Sequence, residues 1–394
     1  MRGLEWLNFF IANVQTGFGP FISAYLTSHA WPQVNIGLVL TISGIVALVG
    51  QLPAGIIVDG MASKRKAASL AIGAIAGCAL ALAAWPIFPM VLLAEVLHGV
   101  ASCLISPAIA AITVGLVETA LLSRQFGRNA SFASIGAGIA AASMGVCGRV
   151  LSYQAVFIFT AALAIPAIWA LRSIREQDID PVRACGGAPA QDTAPPATRL
   201  ADVLKNRRLL IFAACLLLFH LANAAMLPLV ASIVTMHTSQ WATVLIAACI
   251  VVPQIVVALL SPWIGRKAEQ WGRRPLLLMG FAVLPIRGAL FAIISSPFLL
   301  VSAQLLDGIS AAVIGVLLPI VVADVTQRSA HFNAALGAVG TAAGIGASVS
   351  STIAGYTIDV FGSHAAFLLL AGIALVGTGA LWTVMPETRR AMAD

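Results

Sequence analysis

A chain of 394 residues that is 60% hydrophobic and only 9% Asp, Glu, Lys or Arg cannot be a water-soluble globule, in which charged residues make up about 25%. With 22 basic and 15 acidic side chains, most of its surface must be solvated by lipid. The net charge of +7 does not point to nucleic acid, because the cations cluster in short loops between apolar runs, where membrane topology accounts for them.

Taken in chain order, the apolar runs predict twelve spans of about 20 residues or slightly more. The first, 4–26, follows Met1-Arg2-Gly3-Leu4-Glu5 with no small-residue cleavage pattern and is expected to be retained. Spans over 34–58, 67–85, 89–116, 129–150 and 154–171 complete the first half. Residues 172–208 are rich in Pro, Gly, Ala and charge, and read as a flexible linker with a short amphipathic piece near Leu200 to Leu204. The second half has spans over 209–235, 242–264, 275–294, 297–326, 335–358 and 365–384. The expected organisation is an N-terminal six-helix bundle over 1–172, a cytoplasmic linker over 173–207 and a C-terminal six-helix bundle over 208–394.

If the N-terminus is inside, 20 of the 22 Lys and Arg fall in cytoplasmic segments, and the other two, Arg149 and Arg287, lie within spans. This predicts a multi-pass inner-membrane protein with both termini cytoplasmic. Five of the six cysteines (Cys78, Cys103, Cys147, Cys215, Cys249) sit in apolar runs as small hydrophobes, and Cys185 stands alone in the linker. No CxxC pair or Cys/His cluster indicates a disulfide framework or a structural zinc.

The halves repeat. Phe9-Phe10-Ile11-Ala12-Asn13 aligns with Phe219-His220-Leu221-Ala222-Asn223, and Gly55 with Gly265, both at an offset of 210. Glu95-Val96-Leu97-His98-Gly99 aligns with Gln304-Leu305-Leu306-Asp307-Gly308 at 209, and Asn129-Ala130 with Asn333-Ala334 at 204. Four matches in order across twelve spans indicate a six-plus-six duplication in parallel orientation.

The loop after the eighth span, Gly265-Arg266-Lys267-Ala268-Glu269-Gln270-Trp271-Gly272-Arg273-Arg274-Pro275, resembles the signature loop of the major facilitator superfamily. The loop after the second span keeps Gly55, Asp59 and the basic Lys64 and Arg65, but has Gly60 where the family usually has Arg and Ala62 where it has a second Gly. Pro386-Glu387-Thr388-Arg389 is similar to the family's common ending. The resemblance covers the whole chain. It implies an all-α membrane fold of twelve transmembrane helices in two pseudo-symmetric six-helix bundles, alternating access, and a pathway lined by spans 1, 4, 7 and 10. It also implies a conformational latch made of Gly55, Asp59, Lys64, Arg65, Gly265, Glu269, Gly272, Arg273 and Arg274. Two family features of proton-coupled exporters are missing: Glu95 stands where span 4 usually carries Arg, and span 5 has no Gly-Pro.

An ionisable side chain in hydrocarbon costs several kcal/mol unless it faces a partner or a cavity, so each one is a functional candidate. Glu95 and His98 lie three apart on span 4, with Ser102 continuing their helical face. A carboxyl group and an imidazole together suit proton uptake and release, with Asp307 assisting from the second half; the competing reading is a buried pair that ties helices together. Arg287 and Asp307 reach similar depths and either form a structural ion pair or face the cavity. Arg149 is a candidate partner for Glu95. Asn13, Gln15, Tyr25, Ser102, His220, Asn223 and Arg287 are candidate substrate ligands, against the simpler alternative of interhelical hydrogen bonding.

Glu95-x-x-His98 also has metal-ligand spacing, but it would need Asp307 or His220 to complete a site, so no metal site is assigned. There is no GxxxxGK[ST] loop and no nucleophile with an adjacent base, so neither a nucleotide cofactor nor an enzyme is expected. The expected function is secondary transport of a small organic solute by a monomer in the lipid bilayer. Proton-coupled efflux of a drug or metabolite is the leading form, and uptake of a metabolite or metal chelate by proton symport or facilitated diffusion the alternative.

Overall fold

The computed structural model describes residues 2–16, 18, 20–187, 199–237, 242–294, 296–327 and 329–389. The side chain of Arg149, the linker residues 188–198, and Arg328 and Arg390 from the cation distribution lie outside what is described.

The first crossing is made by α1 (Arg2–Thr16) and α2 (Pro20–Ser28). Pro20 opens α2, where its missing N–H costs nothing. Four long helices follow, α3 (Gln33–Gly60), α4 (Lys64–Ala84), α5 (Phe88–Leu116) and α6 (Leu122–Val150), and α7 (Tyr153–Arg172) completes the first half. The short α8 (Pro181–Ala184) and α9 (Leu200–Leu204) belong to the linker. The seventh crossing is divided like the first, into α10 (Arg207–Asn223) and α11 (Met226–His237), and α12 (Ala242–Trp271), α13 (Arg273–Ile293) and α14 (Pro297–Thr326) come next. The last helix, α15 (Phe332–Val384), has 53 residues. At about 1.5 Å per residue it is more than twice as long as a bilayer core is thick. It turns at Gly362, whose φ of +81° favours a residue without a Cβ, and so supplies two crossings.

Helix α4 separates into a packed stripe and a lipid face. On α4, Ala68, Ala71, Ile72, Ile75 and Ala79 are buried, whereas Leu70 and Leu80 on the opposite side are exposed. Small residues let backbones approach in a solvent that gives no hydrophobic drive between helices, and the exposed leucines meet acyl chains. Helix α6 starts at Leu122, seven residues before the predicted 129, because Arg124, Gln125 and Arg128 extend the helix beyond its apolar run.

The chain forms two compact units. The first comprises residues 1–122, 132–198 and 326–337, and the second residues 123–131, 199–325 and 338–394. Each takes in a short helical piece from the other half of the sequence. In the first unit a Cβ on Gly55 would collide with the Asn333 carbonyl, and one on Gly337 with that of Gln51. In the second unit Gly265 is pressed onto the Ser123 carbonyl and Gly127 onto that of Ser261. All of these counterparts are 210 residues apart, so the duplication seen in sequence is reproduced residue by residue in two helix crossings.

The first part of the linker is folded, where a flexible segment is expected from the sequence. Residues 174–187 fold onto the first unit, with Ile174, Ile179 and Ala184 buried in its apolar core. Asp180 caps α8 by accepting from the Val182 and Arg183 N–H groups at 2.9 and 3.1 Å, which gives a charged, proline-containing stretch a defined local structure. The piece expected near Leu200 to Leu204 is α9.

Candidate functional site

In the first unit the polar groups gather around α5. Gly99 brings its backbone against α3 at the Ser43 carbonyl and Val46, and Ser43 Oγ donates to the Glu95 carbonyl at 3.3 Å. Glu95 is 3% exposed, and its Oε1 is buried with no hydrogen-bond partner. His98, one turn on, faces the junction of α1 and α2, where its ring stacks on Phe18 with centroids 3.8 Å apart and planes 9° off parallel. Its Nε2 is 3.2 Å from Ser102 Oγ, and its Nδ1 is buried without a partner. The two candidates share a helix turn, but each packs on a different neighbour.

Two other candidates in this unit serve packing. Tyr25 is fully buried, with its hydroxyl donating to the Leu82 carbonyl at 2.8 Å and its ring against Phe157. Asn13 is buried and donates along its own helix to the Phe9 carbonyl at 2.8 Å, beside the close approach of Gly136 on α6. Gln15 is half-buried.

The second unit brings three helices to one guanidinium. Arg287 on α13 is 2% exposed; it pairs with Asp307 on α14, and its Nη2 donates to Asn223 Oδ1 at 2.6 Å where α10 ends. Met226 Sδ lies 3.2 Å from the same nitrogen, and the Phe291 ring 5.7 Å from the guanidinium carbon. The Asp307 side chain remains 24% exposed. Arg287 and Asp307 therefore form an ion pair, with Asn223 as third member, while His220 stands apart, half-buried and edge-on to Phe219.

The two signature loops are built differently. Asp59 at the end of α3 accepts at Oδ1 from the Asn333 N–H and side-chain amide, at 3.2 and 2.8 Å, and at Oδ2 from the Ala334 N–H at 2.8 Å. It thereby caps the start of α15, where the helix dipole favours an anion. Buried Lys64 donates to the carbonyls of Val58, Asp59 and Met61, satisfying the end of α3, and Arg65 lies 3.8 Å from Glu176. In the second loop Arg273, aligned with Ser63, makes the carbonyl contact that Lys64 makes in the first. Its Nη1 donates to the Ala268 carbonyl at 2.6 Å, its Nε to Asp324 at 2.9 Å, and its Nη2 lies 3.5 Å from Glu269.

The positive φ of Gly272 (+92°) lets Glu387 reach the backbone N–H groups of Arg273 and Arg274 at 2.9 and 3.0 Å; Arg274 also donates to the Trp382 carbonyl. The sequence gives Glu387 no role beyond the terminal motif and does not announce the Phe18 stack. Asn333 is marked in the sequence only as a repeat match.

Residues 6–284 and 221–393 match the sequence pattern of the Major Facilitator Superfamily. An uncharacterized MFS-type transporter of Mycobacterium tuberculosis is 40% identical over 393 residues, which is 98% of this chain and 93% of the relative. Multidrug resistance protein 1 of Bacillus subtilis is 30% identical over 175 residues, 43% of this chain and 44% of its own. Among solved structures, the Major Facilitator Superfamily transporter FucP in the outward conformation superposes with a TM-score of 0.79 at 12% identity, over 99% of this chain and 98% of that one. With the twelve crossings, the paired signature loops and these matches together, the chain belongs to the Major Facilitator Superfamily of membrane transporters.

Proposed function

We propose that this protein exports a small amphiphilic or drug-like solute across the inner membrane in exchange for protons, with Glu95 as the proton-carrying group and His98 and Asp307 assisting. The observation that carries the reading is the Glu95 carboxyl, buried in α5 with one oxygen unpartnered. An ionised carboxylate left so in the membrane interior costs several kcal/mol, so the group can give up its proton only when water or a cation reaches it. His98 holds the junction of α1 and α2 through the Phe18 stack, so a change in its hydrogen bonding acts on the helix it braces.

Solute contacts are proposed at Gln15 and Ser102 in the first unit, where Asn13 and Tyr25 act through packing, and separately at His220 and the Arg287–Asp307–Asn223 cluster in the second. The two signature loops act as the cytoplasmic latch of an alternating-access cycle, Asp59 engaging the start of α15 in its closed state. The partial likeness to a multidrug resistance protein favours a drug-like cargo and export. In proteoliposomes with an imposed pH gradient, a panel of lipophilic cations and neutral amphiphiles should move against the direction of proton flow. Accumulation of a metabolite in the same direction as protons would replace this reading with symport.

A further inference from the structure

The first turn of α15 is capped from two sources. Asp59 takes the Asn333 and Ala334 N–H groups, and the Cys185 carbonyl takes the Phe332 N–H at 3.0 Å. The Asn333 side-chain amide joins the two, donating to Asp59 Oδ1 at 2.8 Å and to the Ala184 carbonyl at 3.2 Å. Cys185 Sγ, 3.4 Å from the Asp59 carbonyl, ties the same stretch to the end of α3.

The other side of this stretch caps α5, the helix that carries Glu95 and His98. The Asp180 N–H donates to the Gly115 carbonyl at 3.0 Å, and Arg183 Nη2 to the same oxygen at 3.2 Å. Asp180 and Arg183 are themselves paired at 2.9 Å. Ile179 packs so closely that a Cβ on Gly115 would strike it. One short segment thus satisfies the Gly115 carbonyl at the end of α5 and the Phe332 N–H at the start of α15.

We propose that residues 174–187 are a strap that works as a third member of the latch, holding the start of α15 together with Asp59, so that neither lets go without the other. The inference rests on the latch reading above and extends it to a linker that the signature motif does not contain. Because Asn333 is shared, loosening the strap weakens the Asp59 contacts as well.

Hydrogen exchange at single-amide resolution on the full chain in nanodiscs tests this. Two variants release the strap: Asp180→Ala with Arg183→Ala, and replacement of 180–186 by Gly and Ser, which removes the Asp180 and Arg183 side chains and the buried Ala184 methyl that hold its backbone in place. Exchange at Phe332, Asn333 and Ala334 should rise together, by about five- to tenfold. A rise confined to Phe332, or none at all in the Gly/Ser replacement, overturns the proposal. Asp59→Asn with the strap intact examines the latch separately: unchanged exchange at Asn333 and Ala334 in that variant would reject the latch reading itself.

Discussion

The same turn of the same repeated helix carries Glu95 and His98 in one half and Gln304 and Asp307 in the other. Gly99 presses α5 onto the Ser43 carbonyl and Val46, and Gly308 presses α14 onto the Pro253 carbonyl and Val256, so the helix crossings are equivalent. Glu95 is 3% exposed and Gln304 1%, so an amide meets the packing requirements of this place. The acid in the first half is therefore not demanded by the fold. In the second half charge has moved one turn along to Asp307 and is neutralised by Arg287 from a neighbouring helix. One half holds a buried acid with an unpartnered oxygen and the other an ion pair that ties three helices, and the proposed proton role of Glu95 rests on that contrast.

Breaking the pair gives the largest expected effect. Asp307→Ala leaves a guanidinium that is 2% exposed without its counter-charge, and should cost about 3 kcal/mol, read as a loss of thermal stability in detergent or nanodiscs. Replacing both partners, Arg287→Met with Asp307→Leu, should restore most of that loss. If the single substitution is silent, the pair is not the anchor described.

Installing an acid in the second half is the converse experiment. Gln304→Glu places an additional carboxyl in a site that gives the existing Gln304 Nε2 no partner, and should destabilise by about 2 kcal/mol. A neutral outcome would mean that this place accepts a carboxyl in either half, and the contrast between the halves would lose its force.

Smaller changes sharpen the comparison. Phe18→Leu removes the face that braces His98 and should cost about 1 kcal/mol, with altered pH dependence of transport as the companion readout. The Asp180 contacts of the strap should be insensitive to pH near neutrality. Burial alone raises the Asp180 carboxyl, but the Arg183 and Val182 N–H groups and the Arg183 guanidinium outweigh it and hold the group below the usual carboxylate range. Its contribution is therefore complete above the ordinary Asp value of about 3.9 and is lost as pH falls through the lower folded value. Exchange protection of the strap, corrected for intrinsic rates, should be level between about pH 8 and 5 and fall only under stronger acid.

Much of the fold was legible because a bilayer imposes simple rules: apolar runs of spanning length became helices, and the offset of 210 returned in the glycine crossings. Where polar residues lead a helix, as Arg124 and Gln125 lead α6, hydropathy places the start too late. The strap has the composition of a flexible linker, and its order comes from Asp180, Arg183 and three buried apolar side chains docking on helices distant in sequence. The site was legible in kind but not in partnership. Burial cost singled out Glu95, Arg287 and Asp307, yet the bond from Arg287 to Asn223 depends on how three helices cross, and the Tyr25 hydroxyl was satisfied by a carbonyl no motif announces.

The most direct test is Glu95→Gln in proteoliposomes, using whichever solute of the panel the native protein moves. The amide at Gln304 indicates that the variant will fold, with stability within about 1 kcal/mol of the native protein. It should still exchange solute across the membrane at equilibrium, but should no longer respond to an imposed pH gradient. Flux that follows the gradient as well as in the native protein would contradict the assignment of Glu95 as the proton carrier.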